Sequence, residues 1–246
     1  MSKKILFVIG ASSDMGMELI RKVYLKYDVI IAHYRQLSKQ LEQLQEFCED
    51  GVVSKISLTQ ADLISEDETK NMISEICGRG LFPTHIVHFP FPKTDNSKFV
   101  KTDWSVFQDM WNIGFRSLTL IAQSFIPRMI KEGGGKIVVM LSKALNNAAP
   151  KYCAHYTSVK YAMWGLVKSL SVEYADKNIN VNAISPGWVD TKYNSNQHTI
   201  VVERNLANSP LKKYMQSSDI IPTIEFLLSE KANSINGQNI FITGGE

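Results

Sequence analysis

Cysteine is scarce in this chain, and what there is has no pattern. Cys48, Cys77 and Cys153 are an odd number at no metal-type spacing. Free thiols in a reducing compartment fit better than a disulfide framework, and no metal site is expected. An excess of charge is also missing. Lys and Arg number 27 against 24 Asp and Glu, a net +3, and no dense Lys/Arg run appears. That removes the electrostatic footprint of a nucleic-acid binder. No stretch approaches the ~18 apolar residues of a membrane span. Lys3-Lys4 before Ile5 to Ile9 imitates the start of a signal peptide. The run is too short, no small-residue cleavage site follows and a glycine turn ends it, so it reads as a first buried strand. Repeats, low-complexity tracts and interdomain linkers are absent. The expected setting is cytoplasmic, with no nucleic-acid and no membrane partner.

What is present is an ordinary globular composition, 44% hydrophobic and 21% charged. A chain of 246 residues suits one large α/β domain. Seven strand-like segments recur: 5–9, 28–32, 53–58, 84–89, 136–141, 179–185 and 239–243. The continuous apolar run of 5–9 suits a parallel strand covered on both faces, and 28–32 reads as a second buried strand. Helical patterns alternate with them at 15–26, 36–49, 66–77, 103–131, about 152–176 and 219–229. Asp103 is a candidate cap, and Pro127 should kink or end its helix. The alternation predicts a single doubly wound, mostly parallel seven-stranded sheet flanked by helices, of the Rossmann type. Its cofactor half is about 1–135 and its catalytic and substrate half about 136–246. Residues from about 190 to 215 are polar and irregular, and suit a lid.

The chemistry concentrates in Tyr156-Thr157-Ser158-Val159-Lys160. Positions four apart share one face of a helix, so a phenol and an ammonium stand side by side. A lysine cation at ~4 Å, with an effective dielectric of about 20, favours the tyrosinate by roughly 4 kcal/mol. That corresponds to a phenol pKa lowered by about three units, into the range useful for acid/base catalysis. The pair alone is common in helices and gains weight only from its company.

That company lies along the chain. Gly10-Ala11-Ser12-Ser13-Asp14-Met15-Gly16 joins the first strand to a helix N-terminus, where free N–H groups and the helix dipole favour an anion. A plain turn with Ser13 or Asp14 as cap accounts for it equally well. His33-Tyr34-Arg35 ends the second strand. An acid there would favour NAD and an Arg NADP, although Arg35 could equally be a solvated residue opening the next helix. Asp62 follows the third strand, placed either for an adenine amino group or as a turn cap. Asn112 lies mid-helix, where an amide is solvated or bonded to backbone. Ser142 closes the fifth strand, either as a turn former or at the edge where open α/β sheets bind ligands.

Together these pieces, with Pro186-Gly187, Thr191 and Gly244-Gly245, resemble the short-chain dehydrogenase/reductases over nearly the whole length. The closest flavour is the 3-oxoacyl-[acyl-carrier-protein] reductases and related ketoreductases. The resemblance implies an NAD(P)(H)-dependent oxidoreductase that reduces a ketone, a 3-oxoacyl thioester or similar carbonyl, to a secondary alcohol. Tyr156 would supply the proton. Lys160 would keep it acidic and grip the nicotinamide ribose, and Ser142 would hold the carbonyl. Asn112 would seat a water that passes protons to Lys160. The cofactor would lie on Gly10, Ser12, Ser13, Asp14, Met15, Gly16, Tyr34, Arg35, Asp62, Leu63, Phe89, Tyr156, Lys160, Pro186, Gly187, Val189 and Thr191. Arg35 favours NADP(H) over NAD(H). The implied substrate is small or carrier-bound. A homodimer or homotetramer would pair the helices around 103–131 and 152–176.

Several departures stand against the resemblance. Asp14 takes the place of a glycine, beside the expected pyrophosphate, unless its charge turns outward. His88-Phe89-Pro90-Phe91 replaces the usual Asn-Asn-Ala-Gly. A basic patch for a carrier protein would draw on Arg128, Lys131 and Lys177. Lys143 could meet a polar substrate or point to solvent, and Trp188, Tyr193 and Tyr152 suggest an aromatic wall. These drifted positions keep a second reading open, a non-catalytic dinucleotide-binding or regulatory protein on the same scaffold.

Overall fold

The computed structural model of the protein describes residues 3–39, 41–42, 55–93, 95–146, 148–192, 203, 206–207 and 209–245. Strands β1 (Ile5–Ile9), β2 (Val29–Tyr34), β3 (Ile56–Gln60), β4 (His85–His88), β5 (Gly135–Met140), β6 (Ile179–Pro186) and β7 (Asn239–Ile242) form one sheet. Their order is β3-β2-β1-β4-β5-β6-β7, and every pairing is parallel. The chain therefore starts in the middle of the sheet, winds outward one way and then the other. The switch lies between β1 and β4, where open α/β sheets place their ligand crevice.

The apolar runs explain the layering. All five residues of β1 and all eight of β6 are buried, since helices cover both faces. Helices α1 (Asp14–Val23) and α6 (Ser217–Leu227) pack on one face around Leu19, Ile20, Ile220 and Ile224. On the other face lie α2 (Glu66–Gly78), α3 (Trp104–Met110), α4 (Ser117–Lys131) and α5 (Ala154–Glu173). They close over Phe7, Ile121, Phe125, Val159 and Met163. Each such side chain contributes roughly 1.5–3 kcal/mol on leaving water.

The long helix expected over 103–131 is interrupted. Between α3 and α4, Trp111–Arg116 forms a π-helical turn, and the Ser117 amide reaches back five residues to the Asn112 carbonyl. Pro127 neither ends the helix nor lies at its boundary, because α4 continues to Lys131. Asp103 occupies the cap position without a side-chain cap bond. Most of the helix expected over 36–49, the start of the third strand, and residues 193–202, 204–205 and 208 of the expected lid fall outside the described residues.

Candidate active site

The glycine turn is built by close contacts. Gly10 has φ +79°, a backbone state that costs glycine nothing. A Cβ on Gly16 would lie 2.5 Å from the Gly10 carbonyl oxygen, so only glycine lets α1 approach the strand end this closely. Ser13 is the cap: its hydroxyl donates to the Gly10 carbonyl (2.7 Å) and accepts from the Gly16 amide (3.1 Å). The amides of Ser12, Asp14 and Met15 find no acceptor among the described residues. Unpartnered N–H groups at a helix N-terminus are an anion cradle. This set of donors, at the carboxyl edge of the sheet, fits the pyrophosphate of a dinucleotide.

His33 was not singled out by sequence, yet it fixes this turn. Its Nδ1 accepts from the Gly10 amide (3.1 Å), and its Nε2 lies 3.0 Å from the Ala61 carbonyl. Those two bonds require the neutral ring with hydrogen on Nε2, and burial lowers its pKa to about 4. Asp14 points across the cleft: its Oδ2 accepts from the Lys192 amide at 2.7 Å. Its carboxylate thus tethers the loop after β6 to the start of α1.

Tyr34 is half-buried and Arg35 exposed at the end of β2. Asp62 caps its own turn, with Oδ1 accepting from the Ile64 amide at 3.1 Å, while Leu63 is buried. Phe89 and Pro90 stand beside Gly10, 3.2–3.4 Å from where a Cβ on it would be. Asn112 serves a neighbouring purpose. Its Oδ1 accepts from Arg116 Nη1 (2.9 Å), and Arg116 Nη2 donates to the Leu63 and Ile64 carbonyls (3.2 and 2.7 Å). The side chain of Asn112 therefore braces the loop after β3.

The structure brings Ser142, Tyr156 and Lys160 together at the carboxyl end of β5. Ser142 caps a 3-10 turn, accepting from the Ala144 amide (3.2 Å). Hydrogen bonding to Ser142 pulls the pKa of the Tyr156 phenol down. Lys160 donates to the Met140 carbonyl (2.9 Å), and its Nζ stands 5.8 Å from the Tyr156 ring centre. Burial dominates the acid–base balance. It raises Tyr156 to about 12 against the pull of Ser142 and lowers Lys160 to about 7. The expected drop of about three units in the phenol is not met here. A lysine that is half-charged near neutrality supplies less field than a full cation, and removal from water works against every charge.

Behind Lys160, fully buried His88 adds a second neutral imidazole. Ser117 commits its hydroxyl hydrogen to the Ile113 carbonyl (2.6 Å), so His88 Nε2 must donate to Ser117 Oγ (2.8 Å). Burial first and Lys160 second lower the His88 pKa to about 3.

The loop after β6 closes the site. The Gly187 amide donates to the Ile242 carbonyl (2.8 Å), and a Cβ there would come within 3.2 Å of Thr243 Cα. Pro186 and Val189 are buried, and Val189 bridges to Met215. Thr191, half-buried, precedes the Asp14 tether. Trp188 packs near Tyr214, ring centres 6.1 Å apart. Tyr152 lies in a turn with φ +65°, and Tyr193 is outside the described residues. Arg128 and Lys131 end α4 and Lys177 precedes β6, so within one chain these bases lie at the amino edge of the sheet. Arg128 is taken up by Glu132, and Lys177 by Asp176.

With this geometry in place, comparison with known proteins is informative. A family model described as Enoyl-(Acyl carrier protein) reductase matches residues 24–246. The chain is 28% identical over 241 residues to 3-oxoacyl-[acyl-carrier-protein] reductase FabG of Staphylococcus aureus, covering 97% of this chain and 96% of that protein. Among solved structures, it superposes on acetoin dehydrogenase YohF from Salmonella typhimurium with TM-score 0.86 at 22% identity, covering 99% and 96%. A 4-hydroxyisoleucine dehydrogenase complexed with NADH superposes with TM-score 0.86 at 23% identity, covering 98% of each chain. The two structural likenesses concern the fold.

Proposed function

The chain belongs to the short-chain dehydrogenase/reductase family of NAD(P)-dependent oxidoreductases, and from that premise we propose that it reduces a ketone to a secondary alcohol with NADPH. The observation that carries this reading is the convergence of Ser142, Tyr156 and Lys160 at the carboxyl end of β5, the sheet edge that also carries the anion cradle. When bound, the cofactor supplies a hydride to the carbonyl carbon. Charge then develops on the carbonyl oxygen, which needs a hydrogen-bond donor and a proton. Ser142 gives the hydrogen bond and Tyr156 the proton. A phenol held protonated by burial is still a far stronger acid than the alcohol it creates, so transfer runs downhill. Lys160 would hold the nicotinamide ribose and steady the phenolate left behind.

Glycine turn, Tyr34, Arg35, Asp62, Leu63 and Phe89 would hold the adenosine and phosphates. Pro186, Gly187, Val189 and Thr191 would hold the nicotinamide. Exposed Arg35 supports NADP(H). The relatives named as acyl-carrier-protein reductases support a 3-oxoacyl thioester or similar carbonyl as substrate, small or carrier-bound. The exposed Trp104, Trp111, Tyr161 and Val172 support pairing of copies through the helices around 103–131 and 152–176, in a dimer or tetramer. A cytoplasmic setting is in keeping with this chemistry, and no described helix is long and apolar enough to cross a membrane.

Two measurements test the proposal. Titration of NADPH and NADH against the protein's four tryptophans by fluorescence should show binding, tighter for NADPH. A screen of ketones with both nucleotides should find NADPH consumption, falling by about 10²-fold or more in Tyr156→Phe with nucleotide binding retained. Unchanged turnover in that variant would reject Tyr156 as proton donor.

A further inference from the structure

Lys160 is 2% exposed and donates one hydrogen bond among the described residues, to the Met140 carbonyl. Among the described residues no carboxylate acts on it. The groups that face it are Tyr156 from its own helix, His88 from β4 and the Met140 carbonyl from β5. A buried ammonium with so few partners needs another source of stabilisation. The structure provides one. The ring of Phe91, in the loop after β4, lies with its centre 4.0 Å from Lys160 Nζ. The same ring meets Tyr156 edge to face, centres 5.1 Å apart. Gly114, in the π-helical turn, also packs against it: any Cβ there would come 2.7 Å from Phe91 Cε2. The ring thus touches a glycine that must stay small and both members of the Tyr–Lys pair.

We propose that Phe91 is a positioning residue whose ring face supports the Lys160 ammonium and fixes it beside the Tyr156 phenol. A π face attracts a cation most strongly where water is excluded. The residue thereby supplies by quadrupole what a carboxylate would supply by charge, without adding a negative group beside the anionic cofactor. The inference rests on Lys160 acting in the proposed reaction, but its physical content can be measured without a substrate.

The test is a ¹⁵N NMR titration of lysine side chains in the full chain, with the Lys160 signal identified by its loss in Lys160→Met. Phe91→Leu keeps bulk and removes the π face, whereas Phe91→Tyr keeps both. The Lys160 midpoint should fall by about one pH unit in Phe91→Leu and stay at its original value in Phe91→Tyr. Gly114→Ala, whose added methyl would overlap Phe91 and force the ring out of its place, should act like Phe91→Leu and serves if that variant does not fold. An unmoved midpoint in folded Phe91→Leu or Gly114→Ala overturns the proposal. Equal movement in Phe91→Tyr also overturns it, since loosened packing alone would give that result. Failure of every ketone in the activity screen would strike the functional reading and leave this midpoint standing.

Discussion

A buried lysine serves each end of β5, Lys136 from within the strand and Lys160 from α5 through the Met140 carbonyl, and the two ends are finished differently. Lys136, at the amino edge, is 7% exposed and donates to Asn233 Oδ1 (2.7 Å) and Asn180 Oδ1 (3.3 Å). Burial lowers its pKa, and Glu230 partly opposes the shift. Lys160, at the carboxyl edge, has one carbonyl and two aromatic rings. The first is held by two amide oxygens that tie it to β6 and to Asn233. The second keeps donor capacity in reserve, which costs stability and is useful only if a reacting group arrives.

Substituting each lysine by methionine is the strongest way to break this contrast. Lys160→Met should lower turnover by about 10²-fold or more, with little loss of melting temperature. The pH dependence has a definite sign. Lys160 titrates at about 7 in the fold instead of 10.5, so between those values the unfolded chain holds a proton the folded one has released. Wild-type stability therefore gains as pH rises through that window. The variant lacks this gain, so its melting temperature relative to wild type should be higher near about pH 6.5 than near about pH 9.5. A flat difference would mean that Lys160 is not depressed. Lys136→Met should do the reverse. Losing the two hydrogen bonds to the asparagine oxygens costs about 2 kcal/mol, a melting temperature lower by roughly 4–8 °C for a chain of this size. Turnover per folded molecule should be unchanged.

The amino edge was nearly unreadable in the sequence, and much of the carboxyl edge was readable. Ile5–Ile9 announced itself as a doubly covered strand because a continuous apolar run suits burial on both faces. The turn at Gly10 to Gly16 and the spacing of Tyr156 and Lys160 are local, and local geometry survives in spacing. Contacts made by distant residues do not. Lys136 meets Asn233 across 97 positions, His33 meets Gly10 across 23, and Phe91 reaches Lys160 from another loop. No periodicity marks any of them. The π-helical turn over Trp111–Arg116 was hidden for another reason: Gly114 lowers helix propensity, but what it makes room for is the Phe91 ring. Burial also reversed the expected sign at Tyr156, because solvent exclusion is a property of the assembled site.

Arg35 offers a smaller test at the same edge. It pairs with no carboxylate among the described residues, and only its carbonyl is engaged, by Gln60 Nε2 at 3.1 Å. Arg35→Ala should weaken NADPH binding by about tenfold, equivalent to ~1.4 kcal/mol, and leave NADH binding alone. Equal weakening of both nucleotides would place Arg35 away from the 2′-phosphate.

The smallest expected effect comes from two aspartates that do one job at opposite edges. Asp28 accepts from the Lys4 amide at 2.7 Å, and Asp14 accepts from the Lys192 amide at the same distance. Asp28 stands at the amino edge, so Asp28→Asn should leave nucleotide binding untouched. Asp14 opens α1, where unpartnered amides await an anion, and its charge opposes that anion. Asp14→Asn keeps an acceptor for Lys192 and removes the charge. NADH and NADPH should both bind tighter, by roughly threefold to tenfold, and the gain should shrink in high salt as screening takes over. Fluorescence titration of the two variants at low and high salt measures this directly. No gain in Asp14→Asn would mean that the tether to Lys192 already turns the carboxylate away from the phosphates, and the two edges would then differ in their lysines alone.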